Sequence, residues 1–290
     1  MKKILLTLII VSLSLAQVAS DYTYTSAEAT SLVGAVTANP GSEASLFHNP
    51  AGLAEIDYQL ATFGAASIFG VSHSYLGVIV NTPWIGNLGI ALQQSKTEQS
   101  GKTLSEEQSL GFSGGYFLQK DKNSQLSVGY SLNFLNWSLG RTAGITGDGS
   151  DGMAGASGST VGIDIGFQAQ LRGKHRVGAY FKNVNSPVLG KGESQQNLPR
   201  RLALGVSYTP YKGLITSLVF DRLLGYDTEV KSGIQYAFNE KLTFRLGIQS
   251  NPNRMGGGFR IHMNKYNLDY SLLTHPVLTV TQQISIGREL

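Results

Sequence analysis

The sequence alternates between apolar and small or polar residues over unusually long stretches. From Thr160 to Leu171 every second residue is apolar, and the residues between them are Gly, Thr, Asp or Gln. A period of two over a dozen residues is the pattern of a β-strand with one apolar face and one polar face. The pattern recurs at residues 110–118, 126–134, 202–208 and 242–248. The chain is therefore predicted to be all-β.

Strand length favours a membrane barrel over a soluble sandwich, which also alternates. The alternating stretches are about ten residues or longer, whereas strands of soluble proteins average about five or six. In hydrocarbon every backbone polar group must pair internally, so a membrane-spanning sheet has to close on itself. Fourteen strands are predicted, at residues 58–69, 72–83, 86–96, 106–119, 125–138, 159–172, 174–184, 199–209, 213–222, 228–238, 241–250, 255–263, 265–273 and 278–288.

The predicted connections alternate between short and long. Residues 83–85 and 120–124 are examples of short turns, whereas residues 97–105, 139–158 and 184–198 are predicted to be long loops. Outer-membrane barrels have short periplasmic turns, long extracellular loops and an even number of strands. The predicted fold is a transmembrane antiparallel up-and-down β-barrel of about fourteen strands, in the outer membrane of a Gram-negative-type (diderm) bacterium.

Composition excludes several classes of function. The chain has no Cys, which excludes a disulfide scaffold, a thiolate zinc site, a Cys nucleophile and an amino-terminal lipid anchor. The net charge of +4 includes Lys2 and Lys3, and the other basic residues are scattered, so nucleic acid is not an expected partner. Only 14% of residues are charged, and 35 are Gly, which suits an apolar exterior with a closely packed interior.

The amino terminus has the layout of a secretory signal peptide. Two lysines precede the apolar run from Ile4 to Leu15, and small residues follow, so cleavage is expected after Ala16 or Ser20. No later apolar stretch has the length of a transmembrane helix. The predicted organisation is a signal peptide at residues 1–20, an amino-terminal segment at 21–57 and a barrel at 58–290.

Residues 21–57 do not alternate and are predicted to fold back into the barrel as a plug, or hatch. They contain two turn signals, Asn39-Pro40 and Asn49-Pro50. Ser42 is a candidate cap for a short helix through Phe47, which Pro50 would end. A fourteen-stranded barrel is wide enough either to need such filling or to leave a channel.

Residues 44–54, Ala-Ser-Leu-Phe-His-Asn-Pro-Ala-Gly-Leu-Ala, resemble the amino-terminal signature of FadL-like (OMPP1/FadL/TodX) outer-membrane proteins. The resemblance is closer to the PorV/PorQ branch, whose pattern is similar to residues 198–208 and to the Gly-rich residues 256–259. It implies a fourteen-stranded barrel with an amino-terminal hatch. The hatch motif that it implies is Asn49, Pro50, Ala51, Gly52 and Leu53.

The same resemblance implies two functions. FadL-like proteins pass hydrophobic molecules such as long-chain fatty acids, and PorV and PorQ are accessory proteins of type IX secretion. The leading hypothesis is a non-enzymatic barrel, without cofactor or metal, that passes small hydrophobic or amphipathic compounds. The alternatives are an accessory or docking component of a type IX-like secretion system and, more remotely, an outer-membrane lipid hydrolase.

The expected partners follow from these hypotheses. They are outer-membrane lipids, a hydrophobic small molecule or secretion-system proteins, and the barrel-assembly machinery. The final alternating strand, residues 284–290, resembles the signal for that machinery, although the usual terminal Phe is absent.

Two short motifs match catalytic or binding patterns but lie in the wrong context. Gly111–Gly115 matches G-x-S-x-G, yet it falls inside an alternating strand rather than at a strand–turn–helix elbow. Gly147–Gly152 matches G-x-G-x-x-G without a surrounding βαβ unit, so a flexible loop is the simpler interpretation. Asp148 and Asp151 in that loop leave open a surface calcium site, although their spacing is not that of an EF-hand.

Histidine and basic residues complete the candidates. None of the five histidines shares a helical face or ligand spacing with another, although His73 and His262 are placed to meet a Ser across strands. Arg172, Lys174 and Arg176 cluster at a predicted periplasmic turn, and Arg200 and Arg201 lie below an outer loop. Contacts to anionic lipid headgroups or to a ligand carboxylate are one interpretation, and solvated rim charges are the simpler one. The five histidines are His48, His73, His175, His262 and His275.

Overall fold

The chain forms a closed antiparallel barrel of fourteen strands in the computed structural model, which confirms the predicted fold class. The structure describes residues 24–68, 70–82, 84–99, 101–142, 144–145, 150–190 and 195–290. The predicted signal peptide, residues 21–23 of the predicted hatch, and Asp148 lie outside the described residues. Within these ranges, no helix is long and apolar enough to cross a membrane.

The barrel strands follow one another around the wall in chain order, and β16 pairs with β1 to close it. They are β1 (Leu60–Ile68), β2 (Val71–Thr82), β3 (Gly86–Gln99), β4 (Lys102–Lys120), β5 (Ser124–Leu139), β6 (Ser157–Leu171), β7 (His175–Lys182), β10 (Arg201–Tyr208), β11 (Leu214–Leu223), β12 (Thr228–Ala237), β13 (Leu242–Gln249), β14 (Arg254–Met263), β15 (Tyr266–Leu273) and β16 (Thr281–Glu289). Between β7 and β10, β8 (Val188–Leu189) and β9 (Gln196–Asn197) pair as a separate two-stranded antiparallel sheet.

The alternation places apolar side chains on the outside of the barrel. On β5, Leu126, Tyr130 and Leu132 are exposed, whereas Ser127 and Ser131 are buried. Exposed apolar surface that continues around a whole molecule marks a surface that meets lipid. The fold and this exterior place the chain in the outer membrane, as the sequence predicted.

The two rims of the barrel differ in loop length. One rim, here called the short-turn rim, carries the tight turns at residues 172–174 and 264–265, and β1 begins and β16 ends there. The opposite, long-loop rim carries longer connections, whose described residues are 140–142, 144–145, 150–156, 183–190 and 195–200. By the rule for outer-membrane barrels, the short-turn rim faces the periplasm.

One predicted long loop is wrong. Residues 97–105 belong largely to β3 and β4, which continue to Gln99 and from Lys102. The extension is polar, since Lys96 pairs with Glu98 at 2.5 Å. A strand that rises above the membrane needs no apolar face, so its periodicity ends before the strand does.

Residues 24–56, here called the inner segment, contain three short helices. These are α1 (Ala27–Ser31) and the 3₁₀ helices η1 (Glu43–Leu46) and η2 (Pro50–Glu55). Ser42 caps η1, as predicted, because its side chain accepts a hydrogen bond from Ala44 N at 3.3 Å. The expectation that Pro50 ends this helix is wrong, because Pro50 begins η2, where a missing N–H costs nothing.

Small residues on the inner faces of the strands let the inner segment lie directly against the wall. A Cβ added to Gly129 on β5 would overlap the Pro50–Ala51 peptide, and one added to Gly247 on β13 would overlap the backbone of Leu32. The inner segment contacts both β3–β6 and β13–β16, so it crosses the interior from one wall to the other. It begins near the long-loop rim at Tyr24 and ends near the short-turn rim at Ile56.

Candidate functional site

The Asn-Pro-Ala-Gly-Leu residues lie at the start of η2, against β5 and β6. Asn49 caps η2, since its Oδ1 accepts from Ala51 N at 3.2 Å. Its Nδ2 donates to Thr37 O at 2.6 Å and to Phe167 O of β6 at 3.3 Å, so it joins the inner segment to the wall. Gly52 is closely packed, because a Cβ there would overlap Ser45 Oγ.

The end of η2 closes the interior toward the short-turn rim. Leu53 is fully buried in an apolar cluster with Leu46, Ile56, Leu60 and Ile79. Asn87 of β3 binds the backbone at this end of η2. Its Nδ2 donates to the carbonyl oxygen of Leu53 at 2.6 Å and to that of Ile56 at 2.5 Å.

Buried ion pairs hold the inner segment to β13–β15. Arg245 and Arg260 both contact Asp269, with Arg245 Nη1 at 2.6 Å and Arg260 Nε at 2.8 Å from Asp269 Oδ1. Arg260 Nη2 also lies 3.4 Å from Glu43 Oε1, and Arg245 Nη2 lies 3.6 Å from Glu28 Oε2. Three carboxylates and two guanidinium groups therefore form one cluster, here called the ionic clamp. Burial, together with the charge of Asp269, raises the pKa of Glu43 to about 7.

A second charged cluster lies between the start of the inner segment and β10–β12. Lys231 Nζ is fully buried and lies 2.5 Å from Asp221 Oδ2 and 3.0 Å from Glu229 Oε2. The ring of Tyr24 covers the same ammonium group, at 5.0 Å from the ring centroid. Arg201 Nε contacts Asp221 Oδ1 at 3.2 Å.

Opposite the ionic clamp, a cavity lies between the inner segment and the long-loop half of β5–β7. This inner cavity has a volume of about 60 Å³ and is bordered by Phe47 and His48 of the inner segment. Its wall combines apolar side chains with polar groups that contact one another, since Asp164 Oδ2 accepts from Asn133 Nδ2 and from Tyr180 OH, both at 2.8 Å. The remaining lining residues are Thr25, Leu46, Gln93, Ser109, Leu135, Gly162, Lys182, Asn183, Leu198 and Arg201.

Behind this cavity, the strand pairing of the wall stops half-way up β6. The ladder between β6 and β7 ends at Ile165–Phe181, although β5 pairs with β6 up to Ser157. Above this point the side chain of Asn185 supplies the hydrogen bonds that a paired strand would make to β6. Ile163 N donates to Asn185 Oδ1 at 2.9 Å, and Asn185 Nδ2 donates to Val161 O at 2.8 Å. This junction between β6 and residues 183–185 is called the seam below.

A larger cavity opens toward the long-loop rim. It has a volume of about 510 Å³ and lies between the start of the inner segment and the outer ends of β10–β14. Arg201 borders both this outer cavity and the inner cavity. The other residues around the outer cavity are Tyr24, Asp221, Leu223, Tyr226, Asp227, Glu229, Asn251, Pro252 and Arg254.

The structure brings together one of the predicted His–Ser pairs, but without the geometry of a hydrolase. His73 Nδ1 lies 3.0 Å from Ser95 Oγ, and both residues are buried on the inner face of the barrel. His73 Nε2 has no hydrogen-bond partner, so no carboxylate orients the imidazole ring as the Asp of a Ser-His-Asp triad does. His262 contacts Asn267 rather than a Ser. In the G-x-S-x-G motif, Ser113 Oγ bonds to Ser131 Oγ at 2.7 Å inside the barrel.

The remaining histidines have separate environments. His48 Nε2 bonds to Thr25 O at 3.2 Å within the inner segment, and burial lowers its pKa to about 3. His175 stacks on Tyr208 at 4.9 Å, and the ring of His275 accepts from the backbone of the loop before β16. No group of three or more candidate metal ligands occurs among the described residues. Asp151 accepts from Ile145 N at 3.0 Å within its loop.

The predicted basic cluster is divided between two faces. Arg172 and Lys174 are exposed at the short-turn rim, whereas Arg176 points inward, where its Nη2 lies 3.3 Å from Glu55 Oε2. Arg200 is exposed and Arg201 points inward. The inward positions follow from the alternation itself, because His175 and Val177 on either side of Arg176 face outward.

Sequence reasoning missed the ionic clamp and the seam. The clamp had a readable signal, because Arg245 falls on the polar face of its alternating strand, where a charge needs a partner inside the barrel. Its partners Glu28 and Glu43 lie more than 200 residues away, and only barrel closure brings them together. Asn185 had no sequence signal, because it looks like any other loop residue.

Solved structures with this fold include two toluene transporters. The toluene transporter TbuX of Ralstonia pickettii matches with a TM-score of 0.64 at 13% identity, over 91% of this chain and 98% of that chain. The toluene transporter TodX of Pseudomonas putida matches with a TM-score of 0.62 at 13% identity, over the same shares of the two chains. A FadL homologue of Pseudomonas aeruginosa gives 0.55 at 10% identity, over 91% of this chain and 97% of that chain.

These identities establish a shared fold. No family model matches the chain, and no curated protein matches it. The predicted resemblance to FadL-like barrels is therefore confirmed at the level of the fold, and the PorV/PorQ assignment stays a prediction.

Proposed function

We propose that this protein lets small hydrophobic or amphipathic compounds cross the outer membrane. In this proposal a compound enters the outer cavity at the long-loop rim, passes Arg201 into the inner cavity and leaves through the seam. The observation that carries the proposal is the position of the inner cavity, which lies directly behind the place where the strand ladder of the wall stops. The solved transporters of toluene that share the fold add support.

The lining of the inner cavity suits a small compound that is largely apolar. Phe47, Leu135 and Leu198 offer apolar contact, while the polar groups of Asn133 and Asp164 pair with each other, Nδ2 to Oδ2 at 2.8 Å. Ligand sites commonly combine a mostly apolar lining with a few oriented polar groups. Because these polar groups are already paired, a purely apolar compound such as toluene leaves neither of them without a partner.

Passage requires movement at the seam or in the inner segment. The inner cavity of about 60 Å³ has room for only a few water molecules. Four hydrogen bonds close the seam rather than a full ladder: two from the Asn185 amide, Val184 N to Ile163 O at 2.8 Å, and Asn183 N to Asp164 Oδ1 at 2.8 Å. Opening it costs fewer hydrogen bonds than separating any complete strand pair.

Uptake of radiolabelled toluene into cells tests the proposal. The protein is expressed in a host without a FadL-like barrel, and Ser109→Phe fills the inner cavity from β4. We expect wild-type protein to raise uptake several-fold over the empty host, and Ser109→Phe to abolish most of that gain. Ser138→Phe is the matched control, because Ser138 lies on the outward face of β5. Equal uptake by wild-type protein and Ser109→Phe would contradict passage through this cavity.

The long-loop rim supports a second candidate, the docking of a secretion-system protein. Ile145, Met153 and Val277 are 99%, 74% and 85% exposed there. Apolar side chains in solvent-facing loops suit a protein partner better than a membrane. Native mass spectrometry of the protein purified from its source separates the two candidates. A bound small hydrophobic molecule supports passage, and a stoichiometric partner that is lost from Ile145→Ser/Met153→Ser supports docking.

A further inference from the structure

One part of the short-turn rim is strongly basic. Three turns that neighbour one another around the barrel, residues 121–123, 172–174 and 209–213, carry the cluster here called the basic rim. Its cations are Lys120, Lys122, Arg172, Lys174 and Lys212, all exposed, and its single acid is Asp121. Five cations and one acid give this part of the rim a charge of +4.

The rest of the same rim is balanced. Its basic residues are Lys241, Lys265 and Arg288, and its acids are Asp57, Glu240 and Glu289. Three charges of each sign cancel. The charge of the basic rim is therefore a local property of three turns and does not reflect the average of the rim.

Backbone hydrogen bonds tie the three turns together. Arg172 N donates to Asn123 O at 2.6 Å, and Thr209 N donates to Lys174 O at 2.8 Å. The middle turn has positive φ at both central residues, 51° at Arg172 and 64° at Gly173. Asn is the usual residue at the first central position of such a two-residue turn, and Arg with a positive φ is uncommon. A fixed turn with a cation at this position presents charge to the membrane surface.

Two grooves lie directly above the basic rim on the lipid-facing surface. They have volumes of about 510 and 400 Å³, and both border the outward ridge formed by His175 and Val177 on β7. They exist because small outward residues, Ala169 in one groove and Ser232 in the other, lie among larger apolar neighbours. The ring of His175, stacked on Tyr208, lies at the end of the ridge nearest the turns, a common place for aromatic rings at a membrane interface.

We propose that the basic rim and these two grooves bind an anionic glycerophospholipid of the periplasmic leaflet. The phosphate lies against Arg172 and Lys174, and the two acyl chains occupy the grooves on either side of the His175–Val177 ridge. Basic residues beside a membrane surface attract anionic lipid headgroups. An acidic protein partner would use the charge but not grooves that face hydrocarbon, so the two features together fit a lipid. This site is independent of the proposed passage through the interior.

Native mass spectrometry in non-ionic detergent tests the headgroup contact. The protein is incubated with dioleoyl phosphatidylglycerol or with dioleoyl phosphatidylcholine, which has the same chains. Wild-type protein should retain phosphatidylglycerol roughly tenfold more than phosphatidylcholine. Arg172→Glu/Lys174→Glu should lose that preference, and the matched control Lys241→Glu/Lys265→Glu on the balanced part of the rim should keep it. Equal retention of the two lipids, or equal loss in both variants, would overturn the proposal.

Filling the grooves tests the chain contacts without changing charge. Ala169→Trp and Ser232→Trp should each lower retention of phosphatidylglycerol several-fold. Retention unchanged in both variants would show that the chains lie elsewhere and overturn the proposed pose. Complete displacement of the lipid by equimolar glycerol phosphate would instead reveal a simple anion site and would also overturn the proposal. Heat-modifiable migration on a gel confirms that each variant is a folded barrel before it is tested.

Discussion

The inner segment meets opposite walls of the barrel in different ways. On β13–β15 it is held by the ionic clamp, in which Glu28 and Glu43 reach the guanidinium groups of Arg245 and Arg260. On the β5–β7 side, Asn49 and the Glu55–Arg176 ion pair hold it only toward the short-turn rim. Toward the long-loop rim it leaves the inner cavity, and the wall there is completed by the Asn185 amide. The clamp is buried, whereas the seam is exposed to the surface of the barrel.

This difference indicates which side of the barrel can move. Separating buried charges from their partners is costly, because each would be left without compensation in a region of low dielectric constant. Breaking exposed amide contacts costs much less, because water can replace them. An opening for a small compound is therefore expected on the long-loop half of β5–β7, where the seam lies, with the inner segment held against β13–β15.

The largest effect is expected from removing a guanidinium group from the clamp. Arg245→Met leaves Asp269 and Glu28 with too little positive charge, and breaking such a pair typically costs about 3–5 kcal/mol. Urea unfolding in lipid vesicles measures the change in the free energy of unfolding. Arg222→Met, on the exposed face of β11, is the control and should stay within about 0.5 kcal/mol of wild type. An equal fall in the free energy of unfolding in the two variants would show that the clamp does not hold the inner segment to β13–β15.

The clamp should also make stability depend on pH. Because burial and Asp269 raise the pKa of Glu43 from 4.5 to about 7, the folded protein holds a proton there that the unfolded chain has released. The free energy of unfolding should therefore fall as the pH rises from about 4.5 to about 7, by at most about 3 kcal/mol. His48, with a pKa of about 3, stays neutral in this window.

Glu43→Gln isolates this contribution. The variant should show a flatter dependence of the urea midpoint on pH between 4.5 and 7 than wild-type protein, because Gln does not titrate. Parallel pH profiles for wild type and Glu43→Gln would show that Glu43 titrates normally and that the clamp is not short of positive charge.

A smaller effect is expected where η2 lies against β5. Gly129→Ala places a Cβ into the Pro50–Ala51 peptide, and overpacking of this kind costs about 1–3 kcal/mol. Gly257→Ala is the control, because the nearest atom to its added Cβ lies 3.5 Å away, at an ordinary contact distance. Limited proteolysis should cut the inner segment faster in Gly129→Ala than in Gly257→Ala. Equal resistance would mean that η2 does not lie against the wall.

The smallest change in stability is expected at the seam, together with a change in uptake. Asn185→Ala removes two hydrogen bonds to β6, with an expected cost of about 1 kcal/mol because the site is exposed. Toluene uptake should rise several-fold, since the seam opens more often. Asn136→Ala on the exposed face of β5 should change neither quantity. Unchanged uptake in Asn185→Ala would exclude the seam as the exit.

The wall of the barrel could be predicted from sequence because lipid imposes its pattern locally. Every spanning strand must show an apolar residue at every second position, so the fourteen strands are visible one at a time. The prediction failed where that constraint ends, at residues 97–105, because β3 and β4 continue as polar strands above the membrane.

The candidate site could be predicted only in part because its contacts join distant parts of the chain. Asn49 and Pro50 were conspicuous as a local turn signal, but their packing against Gly129 depends on the register of β5. The pairing of Glu43 with Arg260 and the closure of the seam by Asn185 depend on how the barrel closes. These contacts leave no pattern that a single sequence reveals.

Hydrogen exchange in lipid nanodiscs tests most directly whether the two walls differ in mobility. Backbone amides of residues 157–164 and 183–190, which flank the seam, are compared with those of β13–β15, which carry the clamp. We expect the seam amides to exchange faster, and toluene to change their exchange while leaving that of β13–β15 unaffected. Equally slow exchange on both walls, or faster exchange at β13–β15, would contradict this expectation.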